Sequence, residues 1–176
     1  MLRSVNHKTL WLVRHAKSSW DSDVISDHDR PLNKRGLSDA PLMGSRLARI
    51  KTSPQLMICS SATRAQTTAS LIAKEIGYNC DRLEIDSRIY GAGLKGMVEI
   101  IQHLDGALDQ IMLIGHNPDM TDTINWLSNS HIDNCPTCSI AKLQVATDSW
   151  SDFIQGAAEL IRFDYPKKPF NLIEDQ

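Results

Sequence analysis

The chain has 176 residues, 41% of them hydrophobic and 23% charged, with a formal net charge of −2. That is the size of one ordinary globular domain, taken here as 1–176, and too little for a second full core. A balance so close to neutral argues against nucleic acid or an anionic membrane as partner, so any positive site must be a local feature.

No apolar run approaches the roughly 20 residues needed to cross a bilayer. The opening "MLRSVNHKTLWLV" makes a poor secretory signal, because its apolar run is only Leu10 to Val13 before charged Arg14. The expectation is a cytoplasmic protein that does not enter the membrane.

In chain order, "TLWLVRH" (9–15) reads as a buried strand. "RPLNKRG" (30–36) is a turn whose Asn33 is placed to cap a following helix. Apolar residues at 37, 40, 43, 47 and 50 carry that helix, and Pro41 inside it predicts a kink or a boundary. "QLMICSS" (55–61) is a second apolar run ending on two serines, and 62–77 is a helix closed by Gly77. A weak strand is expected at 82–86 and a helix at 94–104. "QIMLIGHN" (110–117) is a third strong strand, followed by a helix at 118–128 with Pro118 in its first position. Late strands at 139–145 and 158–166 are candidates for pairing with each other, and 167–176 reads as a loosely held tail.

Strands alternating with helices predict an α/β fold: a three-layer α/β/α sandwich whose central sheet is largely parallel. Ligands in such sheets bind beyond the carboxyl ends of the strands. Three strands end there in polar groups: Arg14 with His15, Ser60 with Ser61, and His116 with Asn117. Arg64 follows in the first turn after the second strand. Guanidinium forks and helix N-termini suit phosphate oxygens. A histidine among them has two available roles, hydrogen-bond donor as imidazolium or nucleophile toward phosphorus when neutral. Adjacent strand residues point to opposite faces, so the strand must lose its regular form if Arg14 and His15 share one ligand. Small Ala16 lets the backbone approach.

The four cysteines, 59, 80, 135 and 138, give no framework of paired motifs. Cys59 reads as a buried thiol. "CPTC" (135–138) has the spacing of a redox pair or half a zinc site, but no second CxxC accompanies it, so a loop with two free thiols is expected. No metal and no cofactor are called for.

Four segments taken together resemble the histidine phosphatase superfamily: "VRHAKSSWD", "RPLNKRGLSDA", "ICSSATRAQTTA" and "MLIGHNPDM", in that order over residues 9 to 125. Within it the chain looks most like the SixA-type phosphohistidine phosphatases. The resemblance implies that His15 is the nucleophile that becomes phosphorylated, with Arg14, Arg64 and His116 binding the phosphoryl group. It makes Ser18, Arg30, Ser60 and Asn117 further substrate contacts. His7, His28, His103 and His131 match no motif and are expected at the surface. Two departures stand out. Ala16 replaces the glycine of the family's Arg-His-Gly, and no counterpart is found for the glutamate acid of the mutases in "RLEIDSRIYGAGLKG". Asp21 is a candidate substitute acid. The implied activity is a metal-independent phosphatase with a covalent phosphohistidine intermediate. It would take phosphate from a phosphohistidine on a partner protein, such as a histidine phosphotransfer domain, and release inorganic phosphate. The competing readings are a small-molecule phosphomonoesterase on the same scaffold and a non-catalytic phosphoprotein-binding module.

Overall fold

A computed structural model describes residues 6–21 and 26–171. Six strands form one sheet: β1 (Lys8–Arg14), β2 (Leu56–Cys59), β3 (Glu84–Ile85), β4 (Gln110–Gly115), β5 (Ile140–Val145) and β6 (Glu159–Asp164). Their spatial order is β3-β2-β4-β1-β5-β6. The β3–β2, β2–β4 and β4–β1 pairings are parallel, whereas β1–β5 and β5–β6 are antiparallel. The expected pairing of the two late strands is thus present.

Helices α1 (Lys34–Arg49), α2 (Thr63–Ile76), α3 (Gly93–Gln102) and α4 (Asp119–Ser128) cover the sheet. The period of two along each strand divides the core between its faces. On one face Leu10, Leu12, Ile111 and Leu113 pack with Met97, Ile101, Ile124 and Leu127 of α3 and α4. On the other, Trp11, Val13, Met112 and Ile114 pack with Met43, Leu47, Ala69 and Ile72 of α1 and α2. The result is the three-layer arrangement that the alternating elements require. No helix among the described residues is long and apolar enough to cross a membrane.

Three local readings are corrected. Helix α1 runs through Pro41, which is only half-buried, while Ala40, Met43, Gly44 and Leu47 on the neighbouring stripe are fully packed. A buried stripe of that size outweighs the lost N–H. The strand expected at 82–86 shrinks to Glu84–Ile85, both exposed, because only β2 borders it. The tail expected to be loose is anchored as far as Phe170, whose ring lies 5.3 Å from the Arg46 guanidinium and 5.6 Å from that of Arg162. Residues 172–176 fall outside the described residues.

Asn33 caps α1 as its position suggests, its side chain accepting the Gly36 N–H at 2.9 Å. Gly36 has a second role. A Cβ there would lie 2.2 Å from the Lys17 carbonyl oxygen, which itself accepts the Asn33 N–H at 3.0 Å and cannot easily retreat. Helix α1 therefore presses directly on the loop that follows His15. Gly36→Ala is expected to destabilise by about 1–3 kcal/mol and lower activity with it. A thermal melt beside an activity assay checks both, and an unchanged melting temperature would contradict the close packing.

Candidate active site

β1 ends at Arg14, so the strand stops being regular where the two adjacent polar residues must diverge. The His15 backbone is gripped from both sides: its N–H donates to the Gly115 carbonyl, and its carbonyl accepts the Cys138 N–H. Arg14 Nη1 donates to the Cys135 carbonyl at 2.5 Å. The Ala16 N–H donates to Thr68 Oγ1 of α2. Ala16 is completely buried, which leaves no room for a larger residue beside His15.

The His15 ring is fixed in one tautomer. Nδ1 lies 2.7 Å from the Ala16 carbonyl oxygen, which can only accept, so Nδ1 carries the proton and Nε2 the lone pair. Arg64 Nε donates to that Nε2 at 3.3 Å. Burial pushes the His15 pKa down to about 3; the charges of His116, Arg64 and Arg14 act in the same direction and the bond to Ala16 against it. The histidine at the strand end is thus a neutral imidazole with its lone pair turned toward an arginine.

His116 sits beside it, ring centroids 5.0 Å apart. Its Nε2 is 2.7 Å from Ser60 Oγ. Burial, then the Arg64 charge, pushes its pKa down to about 4. His116 Nδ1 and Arg14 Nε are buried without a hydrogen-bond partner among the described residues. Orphaned polar atoms are rare in folded proteins, and two beside one histidine fit a site that receives a polar ligand.

Arg14, His15, Arg64 and His116 are therefore brought together. The further contacts inferred from sequence have protein partners. Ser18 Oγ accepts from Arg30 Nη2, so these two hold each other. Arg30 also donates to the Ser19 carbonyl and to Asp27, with Trp20 stacked 3.4 Å over its guanidinium. Ser60 orients His116. The Asn117 amide donates to Asn134 and to the Cys135 carbonyl, the same carbonyl that holds Arg14. Asp21 is exposed, and its N–H bonds Ser19 Oγ.

Three residues escaped the sequence reading. Asp27 accepts from Arg30 at 2.8 Å, from the Tyr90 hydroxyl at 2.8 Å and from Arg64 Nη2 at 3.1 Å. Its carbonyl also accepts from Arg64 Nη1 at 2.6 Å. Tyr90 stands edge-on to both His116 and His28. His28, expected at the surface, is half-buried and bonds Ser61 Oγ through Nε2 at 2.9 Å. Its loop is pulled inward because the His28 carbonyl accepts the Thr63 N–H at the start of α2. Hydrogen bonds from Arg30 and Tyr90, with Arg64 behind them, hold the Asp27 carboxyl well below the usual carboxylate range.

Cys135 and Cys138 are both buried free thiols, as the isolated CxxC suggests. They pack into the cores on opposite faces of the sheet, Cys135 with Leu12 and Cys138 with Val13. Burial raises both thiols. Among the described residues no group of three or more His, Cys, Asp or Glu side chains is placed to hold a metal ion.

Fold and site together define an α/β domain that gathers a neutral histidine, two arginines and a second histidine at the carboxyl edge of its sheet. The chain belongs to the histidine phosphatase superfamily, whose branch 1 family model matches residues 10–90. An uncharacterised chloroplastic protein of Arabidopsis thaliana is 33% identical over 155 residues, covering 82% of this chain and 70% of that protein. The fold is that of a SixA protein from Agrobacterium tumefaciens assigned as a phosphohistidine phosphatase. That structure has a TM-score of 0.77 and 24% identity, over 90% of this chain and 98% of that one. A protein histidine phosphatase SixA complexed with tungstate superposes with a TM-score of 0.76 at 19% identity, over 90% of this chain and 97% of that one. In class, then, the chain is a histidine phosphatase superfamily hydrolase.

Proposed function

We propose that this protein is a phosphatase that removes the phosphoryl group from phosphohistidine on a partner protein, such as a histidine phosphotransfer domain. His15 Nε2 attacks phosphorus as the substrate's P–N bond breaks, and the electron pair leaves on the substrate imidazole. Water then attacks the phosphoryl group on His15, which departs as neutral imidazole, and inorganic phosphate is released. Arg64, whose Nε–H rests on the nucleophile at 3.3 Å, passes to a phosphoryl oxygen as the substrate enters. Arg14 and His116 share the charge of the in-line transition state. One SixA structure of this fold is complexed with tungstate, a tetrahedral oxyanion like phosphate, which supports an oxyanion as ligand.

The observation that carries the substrate class is Asp27. Among the described residues it is the carboxylate built into the arginine cluster, and three hydrogen-bond donors keep it ionised. A carboxylate held in that way does not protonate a leaving alkoxide. An alcohol leaves badly without an acid, and such acids typically contribute about 10²–10⁴-fold. A phosphohistidine leaving group takes its proton from solvent near neutral pH, so the site needs none.

Phosphate release from a phosphohistidine-bearing protein should therefore exceed release from an aryl phosphate ester by at least about 10²-fold in kcat/KM. The reverse ranking would mean that an acid is at work and the substrate is an ester. Asp21, exposed next to the Ser18–Trp20 segment, is then the first carboxylate to replace.

The depressed histidines set the pH dependence. The nucleophile is the neutral form, and a pKa near 3 keeps His15 neutral throughout the physiological range. Corrected for substrate ionisation, kcat/KM should be flat from about pH 5 to 8, with no inflection near the ordinary histidine value of 6.5. Stability behaves accordingly. The unfolded chain binds more protons than the folded one between each folded pKa and 6.5, so stability is complete above 6.5 and lost as pH falls toward 4. A melting temperature that does not decline over that window would contradict the buried neutral pair.

A further inference from the structure

A groove of about 500 Å³ has Arg14, the residue before His15, in its lining. Lys17, the first turns of α1, the 134–137 loop and the 165–167 turn complete its walls. Four cationic side chains, Arg14, Lys17, Arg35 and Lys167, line it against a single carboxylate, Asp39. Asp39 lies 3.7 Å from Arg35, which also donates to Thr137 Oγ1 at 3.2 Å, so the one negative group is already engaged. Among the described residues Lys17 and Lys167 have neither an ion-pair nor a hydrogen-bond partner for their ammonium groups. On a chain of net charge −2, so one-sided a lining is a local choice of the sequence rather than a reflection of its overall charge.

We propose that this groove receives an acidic segment of the substrate polypeptide, flanking the phosphorylated side chain. The inference rests on the phosphoprotein reading above and adds a feature of the substrate. Arg14 joins the two sites: it lines the groove and adjoins the nucleophile in the chain. A phosphorylated side chain at His15 brings neighbouring residues of the same chain to the groove that Arg14 lines. Aspartate and glutamate side chains there would meet Lys17 and Lys167. The attraction acts between partly exposed charges, so it steers encounter and weakens with salt.

The test compares two synthetic phosphohistidine peptides, one flanked by glutamates and one by glutamines at the same positions. Their binding to a His15→Ala variant is read by fluorescence anisotropy, and their turnover by the unaltered enzyme is measured in parallel. The glutamate peptide should bind about tenfold more tightly at low salt. The preference should shrink toward unity at 0.5 M salt and in the Lys17→Gln/Lys167→Gln background. Equal binding of the two peptides would overturn the groove assignment, and so would a preference that survives the double substitution. A glutamate preference without hydrolysis of either peptide would leave the groove standing and overturn the phosphatase reading instead. If inorganic phosphate binds at a second equivalent that the double variant loses, while the peptides bind alike, the groove belongs to a second phosphate and the acidic-segment proposal fails.

Discussion

Turnover by a His15→Ala variant is expected to fall by at least about 10³-fold on every substrate, because the proposed covalent route runs through His15 Nε2. Binding of an oxyanion such as tungstate should stay within about threefold of the unaltered protein, since Arg14, Arg64 and His116 remain. That split separates a nucleophile from a binding group. The local structure supports the separation: the backbone N–H and C=O of His15 make the bonds that hold the strand end, and alanine preserves both. Titration of oxyanion binding beside single-turnover kinetics reads the two quantities. A variant that retains turnover would remove His15 from the chemistry, and one that loses anion binding together with turnover would make His15 a ligand-binding group.

The second large effect is expected at Arg64. Its guanidinium donates through Nε to His15, through Nη1 to the Asp27 carbonyl and through Nη2 to the Asp27 carboxylate. Arg64→Lys keeps the charge but loses the fork that spans nucleophile and loop. A loss of about 10²–10³-fold in kcat is expected, the size found when one preorganised donor is taken from a developing oxyanion. A change confined to KM would show that Arg64 contributes equally to ground state and transition state, against the role given to it here. Because Asp27 also ties Arg30 and Tyr90 together, the same variant should loosen the 26–30 loop.

The layers of the fold were legible because each strong strand is an uninterrupted apolar run bounded by polar residues, and each helix carries a clear stripe. Cooperation between layers settled what the pattern left open. Pro41 looked like a break, yet the packed stripe of α1 carries the helix past it. Glu84–Ile85 at the sheet margin is held by one neighbour and stays short. In the site, Arg14, His15, Arg64 and His116 could be found because each stands at a strand end or in the helix turn after one, where topology alone brings them together. Asp27 and Tyr90 carry no such mark. Asp27 lies in a loop beside the undescribed residues 22–25, and Tyr90 follows a short 3₁₀ turn at Ser87–Ile89. Only the folded chain places both beside Arg64. The 134–139 segment was equally silent in sequence, since it acts through its backbone: the Cys135 carbonyl holds Arg14 and the Cys138 N–H holds His15. Main-chain roles leave no signature in residue type.

Passage of the phosphoryl group through His15 is the central step of the proposed reaction. Its most direct test is a rapid alkaline quench within the first turnover on a phosphohistidine-bearing protein, followed by mapping of the acid-labile phosphate by mass spectrometry. A phosphoryl group on His15, formed and lost at rates compatible with turnover and absent in His15→Ala, is the predicted result. Phosphate release with His15 unmodified at every time point, or a phosphoryl group found on His116 instead, would contradict it.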